Sequence, residues 1–259
     1  NQENESRVPL ISNSALIKSV KLEENPKIKP KIDYIVNDTD IKSIPAILEL
    51  ENSNISTELI IKLLSAGLLG LKKNRKLVPT RWSITAVDDA LSKNKLEKIR
   101  HYNEISEIQL FNSEYLGNHY EFLLLPSSWS FEVIELSLKS PGVWHDHESF
   151  FPRKNYAESV TGAYYANRLA VCEYLEKIKK QASAIVMREI RPEYYAPLGV
   201  GILRQASREA FSKAPEKFNA SAEALNRIQK RIKQPIKNFA QKSIILKEFG
   251  RQTRITQFF

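Results

Sequence analysis

Two adjacent carboxylates, Asp88 and Asp89, close a stretch that begins at Lys72 and mixes strong positive charge with aromatic surface. Lys72, Lys73, Arg75, Lys76 and Arg81 supply cations, and Trp82 supplies a large flat ring among them. Cations gathered around an indole suit a polyanion that carries bases, since each phosphate neutralised releases counterions and each stacked base is worth ~1–3 kcal/mol. The acids have two readings. They complement the N-terminal dipole of a helix starting at about Thr85, or they serve in hydrolysis or base excision with Glu132 as a third acid. Glu132 alternates with Phe131 and Val133, and Glu135 stands four residues before Lys139. Acids and a lysine on neighbouring sheet positions suit a metal-dependent nuclease, and the same residues equally make a solvated strand face. His145-Asp146-His147-Glu148 has ligand types that zinc or manganese accepts, and it also reads as an ordinary polar loop. No metal is assigned to it.

The positions that must hold these groups sit in a chain of ordinary globular composition. The 259 residues are 42% hydrophobic, enough for one large core or two small ones, and no run approaches the ~18 apolar residues of a membrane span. No membrane partner is expected. The single cysteine, Cys172, excludes a disulfide framework and a Cys-rich zinc site, so no zinc is expected, no other cofactor is identified, and a reducing, cytoplasmic setting fits. Cys172 itself reads as a core thiol. A formal charge of +9 and a pI near 9.4 make a polyanion the first partner to consider.

Residues 1–44 are polar, with Pro9, Pro26 and Pro30 interrupting a helical pattern between Ser14 and Leu22, and read as an arm or linker. Ser56 or Thr57 caps a helix carrying Leu59, Ile60, Leu63, Leu64 and Leu68 at three-and-four spacing, which ends near Gly67 or Gly70. Pro79 biases Val78 to extended geometry, so residues 77–84 read as a loop or short strand before a helix over 85–99. The period then falls toward two. Residues 107–111, 120–125 and 129–136 read as strands, the latter two forming an antiparallel pair through Pro126-Ser127-Ser128. A helix over 158–179 with a strip of Gly162, Ala163, Ala166 and Ala170 follows, then a buried strand over 182–190 and a helix over 200–211. The order implies an α+β fold with a mostly antiparallel sheet over 45–213. Residues 214–250 form a basic helical segment in which Arg227, Lys230 and Arg231 face either solvent or phosphate.

Leu77-Val78-Pro79-Thr80-Arg81-Trp82-Ser83-Ile84-Thr85-Ala86-Val87-Asp88-Asp89 resembles the signature of the archaeal Nre family, a group associated with DNA repair. Further blocks in the family's order include Tyr115-Leu116-Gly117-Asn118, Pro141-Gly142-Val143-Trp144, Thr161-Gly162-Ala163-Tyr164-Tyr165-Ala166 and Tyr194-Tyr195-Ala196-Pro197-Leu198-Gly199-Val200. Family members generally carry a further N-terminal region, in some with a cysteine-rich zinc motif, and the natural protein is expected to have more at this end. Where many members have Trp and later Arg-Glu after the Gly-Val pair, this chain has Gly201 and Arg204-Gln205. The resemblance implies a DNA partner, which makes Arg168 and Arg204 additional candidates for phosphate contact.

The tail 251–259 resembles a PIP box, the peptide by which repair and replication proteins dock on the PCNA sliding clamp. Gln252, Ile255, Phe258 and Phe259 fill its specified positions. One helical turn gathers the three apolar residues as a plug for a hydrophobic pocket; the competing reading folds the tail onto its own domain. The chain thus reads as a DNA repair protein that binds DNA and docks on PCNA. The alternative is a nuclease or glycosylase acting on damaged DNA, and a third is a clamp-bound scaffold that never touches DNA.

Overall fold

The computed structural model describes residues 27–194 and 199–249, together with Ser19 and Lys21. The described residues divide into two units, one within Asn1–Ser83 and the other within Ile84–Tyr194 and Leu198–Phe259. The expected arm over 1–44 gives way at Pro30, which opens helix α1 (Pro30–Asn37) in the first turn, where an N–H has no partner within the helix. Its Ile32 and Ile35 are buried, so this part of the chain packs. Helix α2 (Ser43–Asn52) and helix α3 (Thr57–Ser65) follow, and Ser56 caps α3 by accepting from the Leu59 amide at 3.3 Å. Ile47, Leu50, Ile60 and Ile61 are buried in this small core.

Helix α4 (Thr80–Ile99) begins five residues earlier than the expected Thr85. Pro79 stands just before it, and its carbonyl accepts from the amides of Trp82 at 2.8 Å and Ser83 at 3.1 Å. A proline is tolerated at a helix entry, and nothing between Thr80 and Thr85 breaks the helix. Asp88 and Asp89 therefore lie well past the first turn, which rules out the dipole as the reason for their placement.

The second unit is built on a six-stranded sheet of order β4-β3-β5-β2-β1-β6 among the described residues. Its strands are β1 (Ile108–Tyr115), β2 (Asn118–Leu125), β3 (Ser130–Ser137), β4 (Val143–Glu148), β5 (Ser183–Ile190) and β6 (Glu216–Phe218). All neighbours pair antiparallel except β3 and β5, which are parallel, so the fold is α+β with a mostly antiparallel sheet. The expected β2–β3 pair does not form; β5 lies between them. Strand β5 is apolar on both faces and so belongs in the sheet's interior, and its long crossover from β3 suits a parallel partner. The tight hairpin is β1–β2 instead, turned by Leu116 at φ 46° and Gly117 at φ 78°. The His145–Glu148 run, read as a loop, is edge strand β4.

Helix α5 (Gly162–Ile178) and helix α6 (Val200–Ser212) cover one face of the sheet, where Phe111, Phe122, Phe131 and Val186 join Leu96 and Ile99 of α4 in one core. Helices α7 (Ser221–Gln229), α8 (Ile236–Lys242) and α9 (Ile244–Phe249) cover the other through Ile228, Phe239 and Ile245, packed on Leu123, Ile134 and Met187. The basic C-terminal segment is thus a layer of the fold. No described helix is long and apolar enough to cross a membrane.

Candidate functional site

The basic stretch after α3 is fastened from beneath. Gly67 lies at φ +73°, and a Cβ there would stand 2.7 Å from the Lys76 carbonyl, so only glycine lets the chain cross so closely. The Ser65 hydroxyl donates to the Val78 carbonyl at 2.7 Å, and the Val78 amide donates to the Ser65 carbonyl at 3.0 Å. Arg75, expected to meet phosphate, is half-buried and donates to the carbonyls of Gly70 at 2.8 Å, Val36 at 2.6 Å and Asp38 at 2.5 Å. Its guanidinium holds the loop. Around this anchor Lys72, Lys73, Lys76 and Arg81 are exposed, and Trp82 is 61% exposed on the first turn of α4.

A second constellation forms inside the other unit where α4, α5 and α6 meet. Asp88 is buried and accepts from Arg204 Nη1 at 2.7 Å. Asp89 pairs with Arg168 and, at 2.8 Å, with Lys93. Arg168 is fully buried and also donates to Glu148 at 2.8 Å and to the Ser92 hydroxyl at 3.0 Å. The rings of Tyr164 and Tyr165 lie 5.7 and 5.4 Å from its guanidinium. Nearby, Asp146 binds Arg153 at 2.7 Å and accepts from the Val160 amide at 2.6 Å. The structure thus brings Asp88, Asp89, Arg168 and Arg204 together. Both arginines, expected to meet phosphate, are buried against carboxylates.

These surroundings set the proton affinities. Burial pushes the Asp88 carboxyl up to about 7, although Arg204 and Arg208 oppose it. Burial works against the Arg168 charge, yet Glu148 and Asp89 hold that guanidinium above its ordinary range. The Cys172 thiol is raised by burial, as fits a core residue without thiolate chemistry.

Glu132 does not join the other two acids. It faces the opposite layer, where its buried carboxylate accepts from the Ser243 hydroxyl, the Ile244 amide at 2.9 Å and His145 Nε2 at 3.2 Å. Two further buried glutamates face the same layer. Glu121 binds Arg231 at 2.8 and 2.9 Å, and Glu189 accepts from the amides of Lys233 at 2.8 Å and Gln234 at 2.6 Å. Arg231, another expected phosphate contact, is therefore held by Glu121 and by Glu216, and Arg227 pairs with Glu216 at 2.6 Å on the surface. Lys230 is exposed. Sequence reasoning missed Glu121, Glu148 and Glu189 as partners. Their one signal is a charge placed within an apolar strand or at its end, which demands a partner without saying which. His147 and its neighbours form no metal group: among the described residues no three His, Cys, Asp or Glu side chains are arranged to hold an ion. Gln252, Ile255, Phe258 and Phe259 lie outside the described residues.

Residues 2–145 match the family model described as Archaeal Nre, N-terminal, and residues 148–258 match Archaeal Nre, C-terminal. The DNA repair protein NreA of Archaeoglobus fulgidus is 39% identical over 95% of this chain and 62% of its own length. The DNA repair protein NreB of the same organism is 37% identical over 97% of the chain and 65% of its own length. The DNA repair protein NreA of Haloferax volcanii is 36% identical over 76% of the chain and 49% of its own length. The chain thus spans less than two thirds of these curated relatives. No solved structure matches it.

Proposed function

Because the chain belongs to the archaeal Nre family, we propose that it is a DNA repair protein that binds DNA through the surface around Trp82 and docks on the PCNA clamp through its tail. One observation carries the DNA reading: Arg81 and the Trp82 indole are exposed on the first turn of a helix, and the segment that leads into it, fixed by Arg75, exposes Lys72, Lys73 and Lys76. The fixed loop lowers the entropy lost on binding, and the cations exchange counterions for phosphates. Trp82→Ala is expected to weaken single-strand binding by ~1–3 kcal/mol if one base stacks there, with no change in the thermal transition. Fluorescence anisotropy with a labelled oligonucleotide measures this; undiminished binding would remove Trp82 from the interface.

The clamp reading rests on Gln252, Ile255, Phe258 and Phe259. Buried aromatic anchors commonly cost ~2 kcal/mol or more on truncation, so Phe258→Ala with Phe259→Ala should weaken clamp binding well over tenfold and leave DNA binding intact. Calorimetry against the clamp of the same organism checks it, and unchanged affinity would assign the two rings another role.

A DNA-processing reading would rest on Asp88, which pairs with Arg204 at 2.7 Å and whose carboxyl burial pushes up toward the range where a general acid or base works. Incubation with damaged and intact labelled oligonucleotides, with and without divalent metal, tests it. A product lost in Asp88→Asn would support catalysis, and no product under any condition would leave the binding factor.

A further inference from the structure

The loop after β4 carries two neighbouring phenylalanines that the core does not absorb. Phe151 is 70% exposed and Phe150 37% exposed, with ring centroids 5.1 Å apart and planes at 88°. The Arg100 guanidinium lies 5.7 Å from one ring and 5.3 Å from the other and makes no ion pair among the described residues. Lys154, on the same loop, is exposed. Exposed rings under an unpaired guanidinium are what a strand of unstacked bases needs: a face for the ring, a cation for the phosphate.

Behind Phe150 opens a cavity of about 450 Å³, within the roughly 300–1,000 Å³ range of small-molecule sites. Five serines line it, with Ile245, Glu248 and Phe249 of α9 on one side. Ser130 and Ser183 are already engaged, the first donating to the second and the second to the Ser128 carbonyl, both at 2.8 Å. Ser127 and Ser149 make no side-chain hydrogen bond among the described residues. No Lys, Arg or His lines the cavity, and Glu248 adds a negative charge, so a phosphate is repelled from it. The lining suits a neutral ring with hydrogen-bonding edges. A carboxylate accepts from the exocyclic amine of cytosine, whereas an unpaired thymine offers only its ring N3–H, set between two carbonyl oxygens that repel the carboxylate.

We propose that this cavity receives one unpaired nucleobase of a DNA strand, with Phe151 stacking on its neighbour, Arg100 and Lys154 holding the backbone outside, and Glu248 preferring an amine-bearing base such as cytosine. The proposal rests on the DNA-binding reading above and narrows it to an unstacked base. Unstacking costs least where a base is single-stranded or damaged, so the pocket selects that state over intact duplex.

The test uses the 259-residue chain with labelled oligo-dC, labelled oligo-dT and an intact duplex, read by anisotropy. Phe151→Ala should bind oligo-dC roughly five- to 150-fold more weakly, the effect of removing one base-stacking ring, while duplex binding and the melting temperature stay unchanged. Phe151→Trp should restore the single-strand affinity. Wild type should prefer oligo-dC to oligo-dT, and Glu248→Gln should lose that preference. Single-strand binding untouched by Phe151→Ala would overturn the proposal alone, as would an equal loss on single strand and duplex or a base preference that survives Glu248→Gln. Wild type that binds none of the three oligonucleotides would overturn the DNA-binding reading as well.

Discussion

Asp88 is held away from water by α4, α5 and α6, and burial raises its carboxyl to about 7 against the pull of Arg204 and Arg208. In the unfolded chain an aspartate titrates near ~3.9. Between those values the folded state holds a proton that the unfolded state has released, so stability falls as pH rises from about 4 through 7 and the lost part stays lost above it. Asp88→Asn, which cannot ionise, should flatten that decline: close to wild type near pH 5 and relatively more stable near pH 8. Urea unfolding at the two pH values measures the difference, and parallel pH profiles for both proteins would contradict a raised carboxyl. Glu176 and Glu216 act in the opposite sense at lower pH. Burial raises both, but the hydrogen bonds of Lys95 and Lys98 to Glu176 and of Arg231 and Arg227 to Glu216 outweigh it and leave them below the usual range. Their contribution is present above the unfolded value and disappears on acidification. At this scale the sequence was legible in residue type and misleading in partner. The resemblance made Arg168 and Arg204 candidates for phosphate contact, yet each has a carboxylate partner far away in the chain: Asp89 lies 79 residues from Arg168 and Asp88 116 from Arg204. Folding brings those pairs together, and no spacing announces them.

Helices α7, α8 and α9 are tied to the sheet partly by carboxylates buried on its strands. Glu132 fixes the entry to α9 through Ser243 and Ile244. Truncating it leaves those donors unpaired in a dry site, and a missing hydrogen bond to a charged group costs ~1.5–3 kcal/mol. Glu132→Ala should therefore lower stability by about that amount and speed amide exchange over 244–249 before the rest of the chain. Uniform exchange, or a loss confined to another element, would contradict this tie. Strong periodicity made most elements readable: the Ser56-capped α3, the small-residue strip of α5, and β5 all fall close to their expected limits. The failures share a cause. The β2–β3 connection looked like a hairpin because Pro126-Ser127-Ser128 has turn composition, but β5, whose Ala184–Met187 run is apolar and buried, inserts between the two strands. The α4 start was misplaced because Pro79 signals both the end of an extended run and the entry to a helix.

Across the whole chain, the net charge of +9 overstates what arginine offers a polyanion. Arg75, Arg168, Arg188, Arg191, Arg204 and Arg231 are engaged with carbonyls or carboxylates in the interior, where the planar guanidinium satisfies several acceptors at once. Lys72, Lys73 and Lys76 are exposed and form no ion pair among the described residues, so the expected DNA surface is carried chiefly by lysine beside Trp82. The family and the α+β class were legible in the sequence; the division of cations between anchor and surface was not, since both kinds lie within the same few residues. If this lysine surface meets DNA phosphates, the salt dependence of duplex binding must report it. For Lys72→Ala with Lys73→Ala and Lys76→Ala, the slope of log affinity against log salt should become shallower by ~0.9 for each phosphate no longer neutralised, with Arg75 left in place to hold the loop. A slope identical to that of wild type would show that DNA binds elsewhere or not at all.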